Sequence, residues 1–472
     1  MESRPVTARM PSLENSVSCP VEGALIVARA TGAGTAAIAI VRIDGAGCAP
    51  LVERLFVPAA PQAGGPVSRP RTMVFGHWID PTTGEAIDDG LCVFFPSPAS
   101  YTGNDLAEFH CHGGPIPPRR LVEAVLNAGA RMARPGEFTR RAFLNGRMDL
   151  AQAEAVADLV NAQTDAAARA ARRQLAGALS ARIVNVRERL LEAAAHIEAY
   201  IDFPEDDIEP ADRQAIATQL HQAREEIGRL LRPRRRGHLL REGARVVLTG
   251  LPNAGKSSLL NALVRKERAI VTPHPGTTRD MIECMIDLAG VPLTLIDTAG
   301  LREVDDPVER LGVERTRREL EQADMVVFVR DTSQPHDPHE ERLALAGIRP
   351  DVVALNKVDL LQTPPRVAGG ELPVSATRGD GLDRLEAAIL VRLHAGDASA
   401  AEEIVSQRHA QLLERAGQAV DAAVQVFARD PSGELVMIDV REALESLSEI
   451  LGLDEIRETL LDRIFSRFCL GK

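Results

Sequence analysis

No apolar run in this 472-residue chain approaches the roughly 18 residues that a membrane-spanning helix needs, so a place inside a bilayer is not expected. The first 20 residues are polar and lack an apolar core segment. They read as a disordered extension rather than a secretory signal. The six cysteines (Cys19, Cys48, Cys92, Cys111, Cys284 and Cys469) are scattered and form no C-x-x-C pair. Such spacing argues against a structural zinc site and a disulfide framework, and fits a reduced, cytoplasmic protein. Positive charge is short as well: 55 Lys and Arg stand against 67 Asp and Glu, a net charge of −12. A generic polyanion binder is therefore not expected, although residues 119–147 gather seven arginines against two glutamates. Internal repeats and low-complexity tracts are also absent. What the chain has in quantity is apolar side chain, 45% of its residues, enough for two or three cores.

Residues 21–150 pattern as α+β. Segments 24–28, 37–43, 91–95 and 105–111 are strand-like, and 121–127 has helical spacing. A Gly-rich turn (TGAGT, 31–35) joins the first two strands, and a Pro/Gly-rich loop spans 58–70. From Asp149 the chain turns Ala-rich. Leu175, Leu179, Ile183, Val186, Leu190, Ala194, Ile197 and Ile201 predict one long helix, stopped by Pro204. Ile216, Leu220, Ala223, Ile227 and Leu230 predict a second, ended by Pro233, and 232–241 reads as a solvated basic linker. Residues 243–398 alternate strand and helix, the mark of a parallel α/β sheet. Helical stripes then return: Ile404, Leu412, Ala416, Val420 and Ala423; Leu444, Leu447 and Leu451, with Gly452 as C-cap; and Leu460, Ile464, Phe465 and Phe468. Helices on both sides of an intact α/β domain predict an insertion. The expected division is a 1–20 extension, an N-terminal domain at 21–146, a helical domain at 147–242 and 399–472, and the inserted domain at 243–398.

The inserted domain carries the chemistry. Residues 250–257 (GLPNAGKS) fit G-x-x-x-x-G-K-[ST], after a β-branched run and before a helical one. Strand, loop and helix in that order point backbone N–H groups from Asn253, Ala254, Gly255, Lys256, Ser257 and Ser258 at phosphate oxygens. Lys256 suits the β- and γ-phosphates, and the Ser257 hydroxyl suits Mg²⁺. Gly276, Thr277 and Thr278 supply a switch threonine, Thr278, as a second Mg²⁺ ligand. Asp297, Thr298, Ala299 and Gly300 follow a buried strand and read as D-x-x-G. Asn356, Lys357 and Asp359 belong to N-K-x-D, whose carboxylate accepts from guanine N1–H and N2–H₂ together. Adenine lacks that donor pair, so GTP is selected. Ser375, Ala376 and Thr377 would set a backbone N–H on the guanine O6. After D-x-x-G stands Leu301, which cannot orient water as a glutamine does. Glu303, Asp305, Asp306 and Glu309 are the acidic alternatives, and Asn253 offers a neutral oxygen for a monovalent cation.

From residue 21 to the end the chain resembles the MnmE (TrmE) family of tRNA modification GTPases. The resemblance is carried by SYTG at 100–103, HCHGG at 110–114, ARPGEFTRRAFLNGRMDLAQAEAVADLV at 133–160, IDFPEDDIE at 201–209, the nucleotide motifs, and the closing FCLGK. It implies a folate-binding, dimerising N-terminal α+β domain, a helical domain, and a Ras-like P-loop G domain inserted into it. It further implies a K⁺-stimulated GTPase activated by dimerisation. With a flavoprotein partner, MnmG, which carries the FAD, a heterotetramer would add an aminomethyl-type group, typically carboxymethylaminomethyl, to C5 of the wobble uridine of certain tRNAs. The one-carbon unit would come from 5,10-methylene- or 5-formyl-tetrahydrofolate. Carried over by position, Asn253 would hold K⁺ in the P-loop, and Thr272, Pro273, His274, Pro275, Gly276 and Thr277 lie in the K⁺ loop, with Thr272, His274 and Thr277 as its ligands. Glu309 becomes the water-positioning residue, beside Lys256 and Asn253 as catalytic groups. Arg42, Glu108, Arg147 and Lys472 fall on the folate positions.

The sequence departs from the family pattern in three places. The turn 31–36 (TGAGTA) lacks the usual basic residue, His274 sits between two prolines in the K⁺ loop, and Arg147 replaces a lysine. An alternative from another class is a ribosome-assembly GTPase of the Era or Der kind. A third is a GTP-driven scaffold without modification chemistry.

Overall fold

The computed structural model describes residues 23–202, 210–232, 234–269, 283–298, 317–335, 337–367, 369–393, 406–429, 434–453 and 458–472. Two compact units divide it: Met1–Met148 with Arg457–Lys472, and Asp149–Ile456. The end of the chain packs with the N-terminal residues, and Phe465 and Phe468 are buried there.

The first unit is built on β1 (Ile26–Arg29), β2 (Ile38–Asp44), α1 (Cys48–Leu55), β3 (Phe56–Pro58), β4 (Val74–Ile79), β5 (Ala86–Phe95), β6 (Leu106–His112), α2 (Ile116–Asn127), β7 (Arg131–Met132) and α3 (Glu137–Leu144). The seven strands form one sheet in the order β3-β4-β5-β6-β2-β1-β7. Strand alternation decides its two faces. Ala39, Val41 and Ile43 of β2, with Ala107, Phe109 and Cys111 of β6, enter the core with residues of α1 and α2. The intervening residues, Arg42, Glu108 and His110, therefore share the opposite face. Pleat and register (Arg42 opposite Glu108) assemble them.

The second unit begins with α4 (Leu150–Asn161), where Asp149 and Gln152 form a capping box. It continues with α5 (Asp165–Leu175), α6 (Ala178–Asp202), α7 (Pro210–Leu231) and α8 (Arg234–Glu242). The long helix expected from Leu175 to Ile201 is α6, which carries the whole stripe from Leu179 to Ile201; Leu175 alone falls on α5, cut off by Gly177 at φ 90°. The expected linker at 232–241 is also corrected. It is largely the helix α8, which turns Leu239 and Leu240 into the core of the nucleotide domain.

The inserted domain holds β8 (Ala244–Thr249), α9 (Lys256–Lys266), β9 (Arg268–Ala269), β10 (Glu283–Leu288), β11 (Val291–Asp297), β12 (Met325–Asp331), α10 (Pro338–Ala344), β13 (Val352–Asn356), β14 (Glu371–Pro373) and α11 (Leu382–Arg392). Its sheet order is β14-β13-β12-β8-β11-β10-β9. It is parallel from β14 to β11, and β10 runs antiparallel beside them. The chain then returns to α12 (Gln407–Arg429) and α13 (Glu434–Leu451). Helices α6, α7, α12 and α13 bury one shared core that includes Ile183, Leu220, Val420 and Leu447, drawn from both sides of the insertion.

A charged cluster sits inside this unit. Arg241, at the end of α8, pairs with Asp158 of α4 at 2.6 Å. Arg408 and His409, on the first turn of α12, approach Glu154, one turn earlier on α4, at 2.7 and 3.3 Å. The helix leading into the inserted domain and the helix that follows it thus fasten to the same face of α4.

Candidate functional site

The nucleotide motifs converge on the carboxyl ends of the parallel strands, the edge where open α/β sheets take ligands. The P-loop leaves β8 through Gly250, where a Cβ would stand 2.2 Å from the Val329 carbonyl oxygen, so only glycine fits. At its far end a Cβ on Gly255 would stand 2.3 Å from Asn356 Nδ2. That amide donates to the Ala254 carbonyl at 2.9 Å and fastens the loop to β13. Asn253 is exposed in the left-handed region at φ 61°, a conformation asparagine tolerates better than most residues. Lys256 Nζ donates to the carbonyls of Gly250 and Leu251 at 3.0 and 2.9 Å, and so lies within the loop it would serve. The Ser257 hydroxyl donates to the Asp297 carboxylate. Two hard oxygen donors from motifs 40 residues apart thereby share one point, a pairing that suits Mg²⁺. Thr298 is buried and donates to the Leu248 carbonyl through its hydroxyl at 3.1 Å, while Ser258 is exposed.

On the base side, Ser375 Oγ donates to Asp359 Oδ1 at 2.6 Å. This bond holds the Asp359 carboxyl below the usual range. Asn356 Oδ1 accepts from the Ala376 amide at 3.1 Å, so that amide is engaged by the motif itself. Thr377 follows in the same turn. Lys357 stands at φ 65° with its ammonium 2.6 Å from Asp331. No nucleotide motif marks Asp331, whose one signal in the sequence is an Asp-Thr-Ser run closing a buried strand.

Thr272, Pro273, His274, Pro275, Gly276, Thr277, Thr278, Ala299, Gly300, Leu301, Glu303, Asp305, Asp306 and Glu309 lie outside the described residues.

In the first unit, Arg42 donates from Nε and Nη2 to Glu108 Oε1 at 3.0 and 2.7 Å, and from Nη1 to the Gly471 carbonyl at 3.2 Å. Its guanidinium lies 5.7 Å from the Tyr101 ring centre and 5.5 Å from that of Phe138. His110 Nε2 is 3.6 Å from Glu108 Oε2. The His110 ring, with Arg42, outweighs burial and holds the Glu108 carboxyl down at about 2. Lys472 is held by its backbone, its carbonyl accepting from Phe138 N at 3.2 Å, so its side chain starts beside this cluster. Arg147 is exposed and would touch a Cβ on Gly103 at 3.5 Å, in the loop that carries Tyr101. That loop is stitched down: Thr102 donates to Asp44, and Asn145 Nδ2 donates to the Thr102 carbonyl at 2.7 Å. One cation, one carboxylate and two flat rings meet here. The basic stretch 119–147 is largely neutralised, since Arg119, Arg120, Arg131, Arg140 and Arg141 each pair with a carboxylate. Among the described residues no helix is long and apolar enough to cross a membrane.

Two family descriptions match the chain, "GTP-binding protein TrmE N-terminus" over residues 25–147 and "MnmE helical domain" over 150–469. The tRNA modification GTPase MnmE of Symbiobacterium thermophilum is 47% identical over 460 residues, covering 95% of this chain and 99% of the relative. The protein of the same description from Heliobacterium modesticaldum is 44% identical over 469 residues, covering 95% and 100%. That from Chloroflexus aurantiacus is 45% identical over 457 residues, covering 95% and 99%. With likeness running through both units and not only the P-loop domain, the chain belongs to the MnmE family of tRNA modification GTPases.

Proposed function

We propose that the chain hydrolyses GTP and that this cycle drives modification of the wobble uridine of certain tRNAs. The observation that carries the reading is the edge where Lys256, Ser257, Asp297, Asn356, Asp359 and Ser375 meet. Water attacks the γ-phosphorus in line, the bond to the β,γ-bridging oxygen breaks, and inorganic phosphate and GDP result. Ser257 and Thr278 would hold Mg²⁺, which neutralises charge on the β- and γ-oxygens. Asn253, with Thr272, His274 and Thr277, would hold K⁺ where other GTPases use an arginine finger, and Glu309 would orient the water. The G domains of two copies pair to complete this site. The N-terminal domain, taken as 21–146, holds tetrahydrofolate against Arg42, Glu108, Arg147 and Lys472. The helical parts 147–242 and 399–472 flank the G domain at 243–398. MnmG supplies the FAD in a heterotetramer that works on tRNA in the cytoplasm. An assembly GTPase has no use for a built cluster such as Arg42–Glu108, which favours the modification reading.

Hydrolysis in K⁺ is expected to exceed that in Na⁺, and equal rates would remove the cation from the mechanism. Nucleoside analysis of tRNA from cells lacking this chain tests the whole reading. Loss of the C5 substituent on the wobble uridine is expected, and an unchanged wobble uridine would overturn it.

A further inference from the structure

Three residues at the end of β12 act on the guanine side without belonging to any nucleotide motif. Asp331, the last residue of β12, lies in register with Asn356, the last of β13. Its Oδ2 is 2.6 Å from Lys357 Nζ. Its Oδ1 accepts from Ser333 N at 2.9 Å and from Ser333 Oγ at 2.6 Å, which fixes the plane of the carboxylate. Thr332 donates to the Asn356 carbonyl from its N at 3.0 Å and its Oγ1 at 2.7 Å. Burial raises the Asp331 carboxyl, but Lys357 and Ser333 outweigh that and keep it ionised.

The N-K-x-D turn needs this support. Asn356 is braced from within the motif set by Ala254 and Ala376, and Asp359 by Ser375. Lys357 stands between them in the left-handed region at φ 65°. A residue with a Cβ is strained there by about 1–2 kcal/mol. Its ammonium bond to Asp331 anchors that strained residue from the neighbouring strand. If the anchor goes, the turn is free to relax, and Asp359, two residues on, shifts with it. A carboxylate reading guanine N1–H and N2–H₂ together loses the outer bond first when it shifts.

We propose that Asp331, oriented by Ser333, is the positioning residue that fixes Lys357 and thereby the guanine-reading edge of Asp359, setting the preference of the site for guanine over hypoxanthine. This rests on the guanine-nucleotide reading above. Hypoxanthine is the informative comparison because it keeps N1–H and lacks only the 2-amino group.

The test is titration of the full chain with GDP and with IDP. Asp331→Asn is expected to raise the GDP Kd about tenfold and the IDP Kd by less, so that the GDP:IDP preference narrows. Asp331→Glu, which keeps the charge, should recover part of the preference. Asp331→Asn combined with Lys357→Gln should be no worse than the worse single variant, because both remove one bond. Ser333→Ala should narrow the same ratio by a smaller factor, and serves if Asp331→Asn does not fold. Equal loss for both nucleotides, or additive single effects, would overturn the proposal, since a bond that merely steadies the strand leaves the ratio alone. A wild-type chain that binds neither nucleotide would instead overturn the guanine reading on which it rests.

Discussion

The same kinds of side chain meet twice in the second unit, with opposite consequences. At the sheet edge, Lys256, Ser257, Asp297, Lys357 and Asp359 are held by carbonyls, hydroxyls and single carboxylates. A ligand can replace such partners at little cost, because the bonds it displaces resemble those it makes. Between α4, α8 and α12, Glu154, Asp158 and His409 are buried and Arg241 and Arg408 half-buried, each held by a partner on a facing helix. Those partners come from the fold itself, so their pairing serves the join between the helical layer and the inserted domain. Asp297 is as buried as Glu154, so the kind of partner, more than residue type or exposure, separates a site from a fastening.

The contrast gives graded expectations. Lys256→Ala should act on binding, raising the GTP Kd by about a hundredfold or more, since it removes a buried cation from the phosphate cradle. Nucleotide titration measures it, and retained affinity would remove Lys256 from the site. Glu154→Ala should act on folding, costing about 3–5 kcal/mol in denaturant unfolding, because Arg408 is left with an uncompensated charge. Its GDP affinity should move by less than about threefold, and a large loss of affinity would blur the two regions into one.

A smaller effect follows from pH. Burial, opposed by Glu154, pushes His409 down to about 3 from an ordinary 6.5. Below 6.5 the unfolded chain takes up a proton that the folded chain refuses, so this histidine costs stability progressively as pH falls toward 3. Asp158, raised by burial to about 6 from 3.8, works in the other direction and costs stability as pH rises between those values. The advantage of the wild type over His409→Leu should therefore grow as pH rises from 4 to 6.5, read from denaturant midpoints. A pH-independent difference would mean that His409 is not sealed.

How much was legible in the sequence follows the same division. The P-loop, Asp297 and Asp359 stand out because strand-end motifs need particular atoms at fixed spacing along one segment. The α8 helix did not, because Arg234, Arg235, Arg236 and Arg241 masked the apolar pair Leu239 and Leu240 that places it. The break at Gly177 was hidden by an apolar stripe that keeps its period across it. Asp331 and Glu154 owe their roles to partners 26 and 254 residues away in sequence, and no local pattern carries a cross-strand or cross-helix pairing. The Arg42–Glu108 pair could be named from a resemblance. Its assembly came only with the register of β2 and β6.

The central claim is that Asp359 reads guanine from this edge. Asp359→Asn replaces one acceptor oxygen with an N–H donor, which mismatches the guanine 2-amino group and matches the 2-carbonyl of xanthine. Titration of this variant with GDP and XDP should show GDP affinity falling by about a hundredfold or more and XDP overtaking it. Unchanged GDP affinity, with no gain for XDP, would contradict the account.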